Sequence, residues 1–253
     1  MRGRGELVFV GLGLHPRQVT LEGLEALKTS DRIYVELYTS YYEGFLEELK
    51  RLLGVEINVL SRRELEEEGG RKLFADVKRG LKVALASIGD PFIATTHRAL
   101  LLEALRRGVK VRIIHGVSIM SVAASASGLF AYKFGRSATV VYPKEGILYT
   151  YPYYVIEENK SRGLHTLLLL EMDPERGVFM TANDAMRILL DVERAEGKGV
   201  FTEETLVVVL ARAGTPTGKV YVGKVGRLIS RDFGPPPHSI VVPGTLHLSL
   251  IHI

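Results

Sequence analysis

The chain has 253 residues, 46% hydrophobic and 25% charged, which is ample core for one large domain or two small ones. No run approaches the ~18–20 uninterrupted apolar residues of a membrane span, and the charged start Met1–Glu6 leads into too short an apolar stretch for a signal peptide. Cysteine is absent, which excludes disulfides and thiolate metal ligands and fits an intracellular setting; 33 Lys+Arg against 29 Asp+Glu give +4, with no dense basic block to grip nucleic acid.

Leu7–Val10 reads as a first strand, followed by Gly11-Leu12-Gly13-Leu14 and, late, by a helix N-capped at Thr20 with Leu21, Leu24 and Leu27 on one face. Arg32–Tyr38 is a second strand, and Phe45, Leu46, Leu49, Leu52 and Leu53 mark a helix stopped by Gly54. Val55, Ile57 and Val59 alternate as a third strand. Ser61 and Glu64 form a capping box for a helix whose Glu66–Glu68 face water, and Leu73, Phe74 and Val77 mark a short helix before Gly80. Leu81–Ala86 is a buried strand ending at Ser87. Gly89 and Pro91 fix Asp90 in the turn that follows, and Thr95 or Thr96 caps a helix to about Arg107, with Gly108 as its left-handed stop. Val109–Ile114 is the next strand. Such alternation implies a parallel sheet with right-handed crossovers.

Composition shifts after His115-Gly116, where Ser118 caps a helix rich in small residues, so a domain junction is placed there, dividing residues 1–117 from 118–253. Ser137–Tyr142 is a strand, Tyr149–Tyr154 a tyrosine-dense entry to a helix reaching about Arg162, and Leu164–Met172 an apolar strand. Thr181 and Asp184 cap a helix carrying Met186, Leu189, Leu190 and Glu193. Leu206–Ala213 is a buried strand, Val220 and Val222 lie in another, and the proline-stiffened loop Asp232–His238 feeds Ile240–Val242. More strands per helix point to a mixed sheet in this half.

Loops Gly11–Leu14, Ser87–Asp90 and Gly116–Ser118 would leave one edge of the first sheet, where open α/β sheets bind ligands. Gly-Asp-Pro is equally ordinary turn chemistry. Gly11-Leu12-Gly13 is not a dinucleotide fingerprint, because His15-Pro16 replaces the third glycine and the helix starts too late to face a pyrophosphate. Glu36 alone is a weak ribose-binding signal. The histidines show no metal-ligand spacing: His247 and His252 fall on opposite faces of a strand-like tail, His97 starts a helix, and His165 adjoins a buried strand. His238, approached through prolines, is either structural or presented to a ligand. Ser118 and Ser121 lack a nucleophile elbow. A small-molecule cofactor site is the expectation.

Taken in order, Val10–Leu14, Tyr38-Thr39-Ser40, Gly89-Asp90-Pro91 with Ala94–His97, Ser118-Ile119, Tyr132–Thr139, Gly163–Leu168, Met180–Asn183, Leu206–Gly214, and Asp232-Phe233-Gly234 with Pro236-Pro237-His238 carry a resemblance. The chain resembles the tetrapyrrole-methylase-type S-adenosylmethionine transferases and, within them, the diphthine synthase family, notably its archaeal form. The resemblance implies two α/β domains, an N-terminal parallel sheet flanked by helices and a C-terminal mixed sheet, with S-adenosylmethionine bent into the cleft between them. It also implies a cytoplasmic homodimer with elongation factor 2 as protein substrate. The amine of an amino-carboxypropyl group on a histidine of that factor would be methylated repeatedly, leaving S-adenosylhomocysteine. Carried over position by position, cofactor contacts fall at Leu14, Asp90, Ile93, Ser118, Ile119, Leu170, Ala211 and His238. Asp90 and Ser118, and with less force His238, also emerge from the residues themselves; Leu170 and Ala211 merely lie in buried strands.

The resemblance brings no metal, nucleic acid or membrane, and no residue is assigned to proton removal. Methyl transfer from a sulfonium is an in-line displacement that positioning can largely drive, so Asp90 is expected to hold the cofactor rather than abstract a proton. Tyr149, Tyr151, Tyr153 and Tyr154 read more simply as packing than as faces for a cation. Pro16 and the lack of Gly-Pro-Gly after Gly11 argue against a tetrapyrrole substrate. The alternatives are a methyltransferase of a tetrapyrrole or other small molecule, or a non-catalytic binder of S-adenosyl compounds.

Overall fold

The structure, a computed structural model, describes residues 5–246, so His247 and His252 lie outside the described residues. Two compact units emerge, one from the chain up to Ser118 with Asp173–Arg176, the other from Ile119–Met172 and from Gly177 onward.

In the first unit, β1 (Glu6–Gly11), β2 (Arg32–Glu36), β3 (Asn58–Leu60), β4 (Lys82–Ser87) and β5 (Lys110–Ile114) form one sheet in the order β3-β2-β4-β1-β5. Every neighbouring pair is parallel. The connecting helices are α1 (Leu21–Lys28), α2 (Phe45–Leu53), α3 (Arg71–Lys78) and α4 (Arg98–Arg106). Successive side chains of a strand point to opposite faces, so the apolar runs of β1 and β4 feed two cores. Val8, Val10, Ala84 and Ala86 pack with Leu27, Leu49 and Leu53 on one side. Leu7, Phe9, Val83 and Leu85 pack with Leu73, Val77, Leu100 and Ala104 on the other.

Several expectations shift in detail. Thr20 caps α1, accepting from Gly23 N at 3.0 Å, but Leu21 is 86% exposed; Ala26 and Leu27 are buried in its place. Val55 and Val59 face outward, and β3 is only a short edge strand. Ser61 and Glu64 do make reciprocal capping contacts, at the head of one wide π-helical turn, Arg63–Glu67. Neither Thr95 nor Thr96 caps α4. Their hydroxyls donate to Pro91 O and Glu66, and His97 stands at the cap position, fully buried.

The second unit holds α5 (Ile119–Ser127), β6 (Ala138–Val140), α6 (Tyr151–Ser161), β7 (Thr166–Leu170), β8 (Met172–Asp173, whose second residue counts with the first unit), β9 (Val178–Phe179), α7 (Ala182–Glu196), β10 (Leu206–Ala211), β11 (Lys219–Lys224), α8 (Val225–Leu228) and β12 (His238–Val242). β8 and β9 form a two-stranded ribbon; the main sheet runs β11-β10-β12-β7-β6. It is mixed: β10 is antiparallel to β11 and β12, β12 is antiparallel to β7, and β6 is parallel to β7. Residues of α6 and α7 pack on one face and Ala123 of α5 on the other. Thr181 and Asp184 form the expected capping box. Tyr153 is core, its hydroxyl donating to Glu193. Val220 and Val222 turn outward on the edge strand β11, while Tyr221 packs inward. β10 stops at Ala211 rather than Ala213, because Arg212 takes a left-handed φ of 51°. Among the described residues no helix is long and apolar enough to cross a membrane.

Candidate functional site: two sheet edges

Because β4, β1 and β5 are adjacent and parallel, the loops that follow them leave one edge, as the order of elements required. They meet there backbone to backbone. Gly13 N donates to Gly89 O at 3.2 Å and Gly89 N to Gly13 O at 2.8 Å, with both residues at positive φ. A methyl group on Gly116 would sit 2.2 Å from Gly89 O, and one on Gly11 would sit 2.4 Å from Gly116 N. Side chains are excluded by contact, so these glycines are needed for approach as much as for conformation.

Asp90 is buried at this meeting point. Its Oδ1 accepts from Phe92 N at 2.9 Å; its Oδ2 accepts from Gly116 N at 3.3 Å and lies 2.8 Å from His115 Nδ1. The carboxylate thus ties the β4 loop to the β5 loop. Leu14, whose N donates to Gln18 Oε1, is half-buried, Ser118 is buried, and Ile93 is exposed. Next to Ile93, Ala94 holds a φ of 56°, a strained setting for a residue with a side chain.

Behind these loops lie Glu36 and His97, both fully buried. Glu36 turns back on its own loop, accepting from Thr39 N at 3.1 Å and Thr39 Oγ1 at 2.5 Å, so it does not face outward as a ribose-binding acid would. Burial pushes its carboxyl up to about 7, against the Thr39 hydrogen bonds. His97 donates from Nδ1 to Pro91 O at 2.9 Å, leaving Nε2 3.8 Å from Glu36 Oε1. Burial draws its pKa down to about 4, against the pull of the Pro91 carbonyl. His97 therefore props the Asp90–Pro91 turn from beneath as a neutral ring.

In the second unit, β12 begins where β10 and β7 end, because it is antiparallel to both. This places Leu170, Ala211 and His238 at one edge, Ala211 and His238 as direct register partners. His238 accepts from Ala182 N at 3.2 Å through Nδ1, so the neutral ring carries its hydrogen on Nε2, a buried donor with no hydrogen-bond partner among the described residues. Burial and then the nearby Arg212 cation lower its pKa to about 4; the Pro235 and Gly234 carbonyls oppose them. Arg212 is itself buried and donates to the carbonyls of Thr217, Phe233 and Pro235, fixing the loop that leads to His238. Ile119, the first residue of α5, is half-buried. His165 is structural: Nδ1 accepts from Gly244 N, and its ring packs edge-on against Phe134.

The structure thus gathers Leu14, Asp90, Ile93 and Ser118 in the first unit and Leu170, Ala211 and His238 in the second. Sequence reasoning passed over His115 and Arg212. The signal for His115 was its place directly after β5, on the edge already singled out; Arg212 sat inside an apolar run read as continuous strand.

Residues 6–229 match the model of the family described as Tetrapyrrole (Corrin/Porphyrin) Methylases. A diphthine synthase from Methanocaldococcus jannaschii is 42% identical over 245 residues, covering 95% of this chain and 94% of that one. Another from Methanothermobacter thermautotrophicus is 40% identical over 243 residues, covering 95% and 91%. A crystal structure of diphthine synthase superposes with a TM-score of 0.85 at 38% identity, covering 96% of this chain and 91% of that one. Sequence and fold agree along nearly the whole length, and the chain belongs to the tetrapyrrole methylase family, within its diphthine synthase group of methyltransferases.

Proposed function

We propose that this methyltransferase repeatedly methylates the amine of the amino-carboxypropyl group on a histidine of elongation factor 2, the diphthine step of diphthamide biosynthesis, using S-adenosylmethionine and acting as a cytoplasmic homodimer. The observation that carries this reading is the kinship with diphthine synthases at 42% and 40% identity over 95% of the chain. S-adenosylmethionine, when bound, supplies a methyl group on a positively charged sulfur whose departure leaves a neutral thioether.

The residues present suit such a molecule. Asp90 offers a negative charge, and with three of about four acceptor positions already used it retains one. His238 offers a buried Nε2–H donor without a hydrogen-bond partner among the described residues. Leu14, Ile93, Ile119 and Leu170 supply apolar surface, Ser118 a hydroxyl, and Ala211 backbone at a strand end. In this reading the chain binds and orients the cofactor, and the close-packed glycine loops keep water out beneath it. No metal is needed, because the leaving group is already good and positioning can supply much of the rate.

Mass spectrometry of elongation factor 2 bearing the amino-carboxypropyl histidine, after incubation with the protein and S-adenosylmethionine, tests the proposal. Methyl increments at that residue are expected. No increment, with S-adenosylhomocysteine still bound tightly, would retain the cofactor and reject the substrate.

A further inference from the structure

A protonated amine has no lone pair with which to attack, so each methylation requires that a proton leave first. We infer that His115 receives this proton, with Asp90 as the residue that positions its ring; the inference rests on the reading proposed above.

His115 follows the last residue of β5, on the edge where the three loops meet. Its side chain is 75% exposed, whereas that of Asp90 is 9% exposed, and Nδ1 lies 2.8 Å from Asp90 Oδ2. Asp90 cannot swing away, because the Phe92 and Gly116 amides hold both of its oxygens. An ionised carboxylate only accepts hydrogen bonds, so Nδ1 must carry the ring hydrogen, and the lone pair falls to Nε2 on the outward side of the ring. A buried carboxylate that fixes the tautomer of an accessible imidazole is a recurrent arrangement for general-base work. Among the described residues Asp90 is the charged side chain within ion-pair reach of His115. Ser118 stands three positions further along the same loop.

The proton balance closes. An N–H bond of the acceptor ammonium breaks, its electron pair staying on nitrogen, and an N–H bond forms at His115 Nε2. The resulting imidazolium is paired with Asp90. The freed lone pair makes the new N–C bond as the C–S bond breaks, with that pair remaining on sulfur. His115 then releases its proton to water before the next round. The same device serves every round in which an N–H remains.

The test compares wild-type protein with H115A and D90N. H115A should lower kcat/KM at neutral pH by roughly 100-fold, while S-adenosylhomocysteine affinity by calorimetry stays within about twofold. Its rate should climb steadily with pH as the amine loses its proton unaided, and added imidazole should restore part of it. Nitrogen NMR of labelled wild-type protein should show His115 in the Nδ1–H form, and D90N should shift it toward Nε2–H. H115A that matches wild-type at every pH, or an Nε2–H tautomer in wild-type protein, would overturn the inference. A parallel loss of S-adenosylhomocysteine affinity would make His115 a cofactor contact instead, also overturning it. Wild-type protein that fails to methylate the modified factor brings down the proposed function itself, and this inference with it.

Discussion

In the first unit the loops after β1, β4 and β5 press backbone against backbone, whereas in the second a buried guanidinium and a buried imidazole hold the edge formed by β7, β10 and β12. The parallel sheet permits the first arrangement, because three adjacent strands end side by side and only glycines let their exits touch. The mixed sheet interposes the start of β12, and the loop arriving there has to be tied down by side chains. A clamp made by omitting side chains tolerates no addition. A clamp made of polar side chains loosens in steps and responds to pH.

The sharpest way to break this contrast is Gly116→Ala. Its methyl would meet Gly89 O at 2.2 Å and Gly11 Cα at 2.9 Å, all backbone, so we expect a loss of about 3 kcal/mol or more in denaturant unfolding. A loss below about 1 kcal/mol would mean the loops part freely. Arg212→Met probes the other edge. It leaves the Thr217, Phe233 and Pro235 carbonyls without their donor, for about 2–3 kcal/mol of destabilisation, and should weaken S-adenosylhomocysteine binding through His238. Full stability in that variant would show that the loop holds without the guanidinium.

Acid sharpens the comparison further. His97 and His238 both sit near 4 when folded, against an ordinary 6.5. The unfolded chain therefore gains protons that the native state refuses, and stability is lost as pH falls from about 6.5 to about 4, approaching ~1.4 kcal/mol per pH unit for each ring. Glu36, pushed up to about 7 from 4.5, does the reverse, because the native carboxyl takes its proton before the unfolded one. It stabilises the fold as pH falls through that window. In the first unit Glu36 offsets His97, which leaves Glu64, held low chiefly by the Ser61 amide, as the group that costs stability in acid. In the second, burial lowers His165 as well, and Asp184 and Glu193 are held low by hydrogen bonds that outweigh their burial, so all four groups pull together. Amide exchange across a pH series, corrected for intrinsic rates, should show the second unit opening first in acid. E36Q should make the first unit equally sensitive; an unchanged profile in E36Q would refute the offset. The smallest effects belong to the caps: Thr20→Ala and Thr181→Ala should each cost about 1 kcal/mol in thermal unfolding, with Thr181→Ala the larger because its box is reciprocal.

Much of the fold was legible because periodicity and punctuation are local. The apolar runs of β1 and β4, the Gly54 and Gly108 stops and the Thr181 box all announce themselves within a few residues. Convergence of the loops at Gly11, Gly89 and Gly116 followed from topology alone. What escaped was tertiary. Nothing beside His97 says that Phe9 will lie against it, and nothing near Glu36 says that it will be fully buried. His115 meets its carboxylate 25 positions away, a pairing that exists only after β4 and β5 are both placed. Arg212 read as part of a continuous strand, but its left-handed backbone ends β10 one residue earlier, at Ala211.

The paired hydrogen bonds between Gly13 and Gly89 carry one more consequence. They join two loops into a single preorganised body before any ligand arrives, so binding at that edge should lose little conformational entropy from the chain. Fast association, with little change in amide protection at Gly13 and Gly89 on binding, is what such a rest state produces.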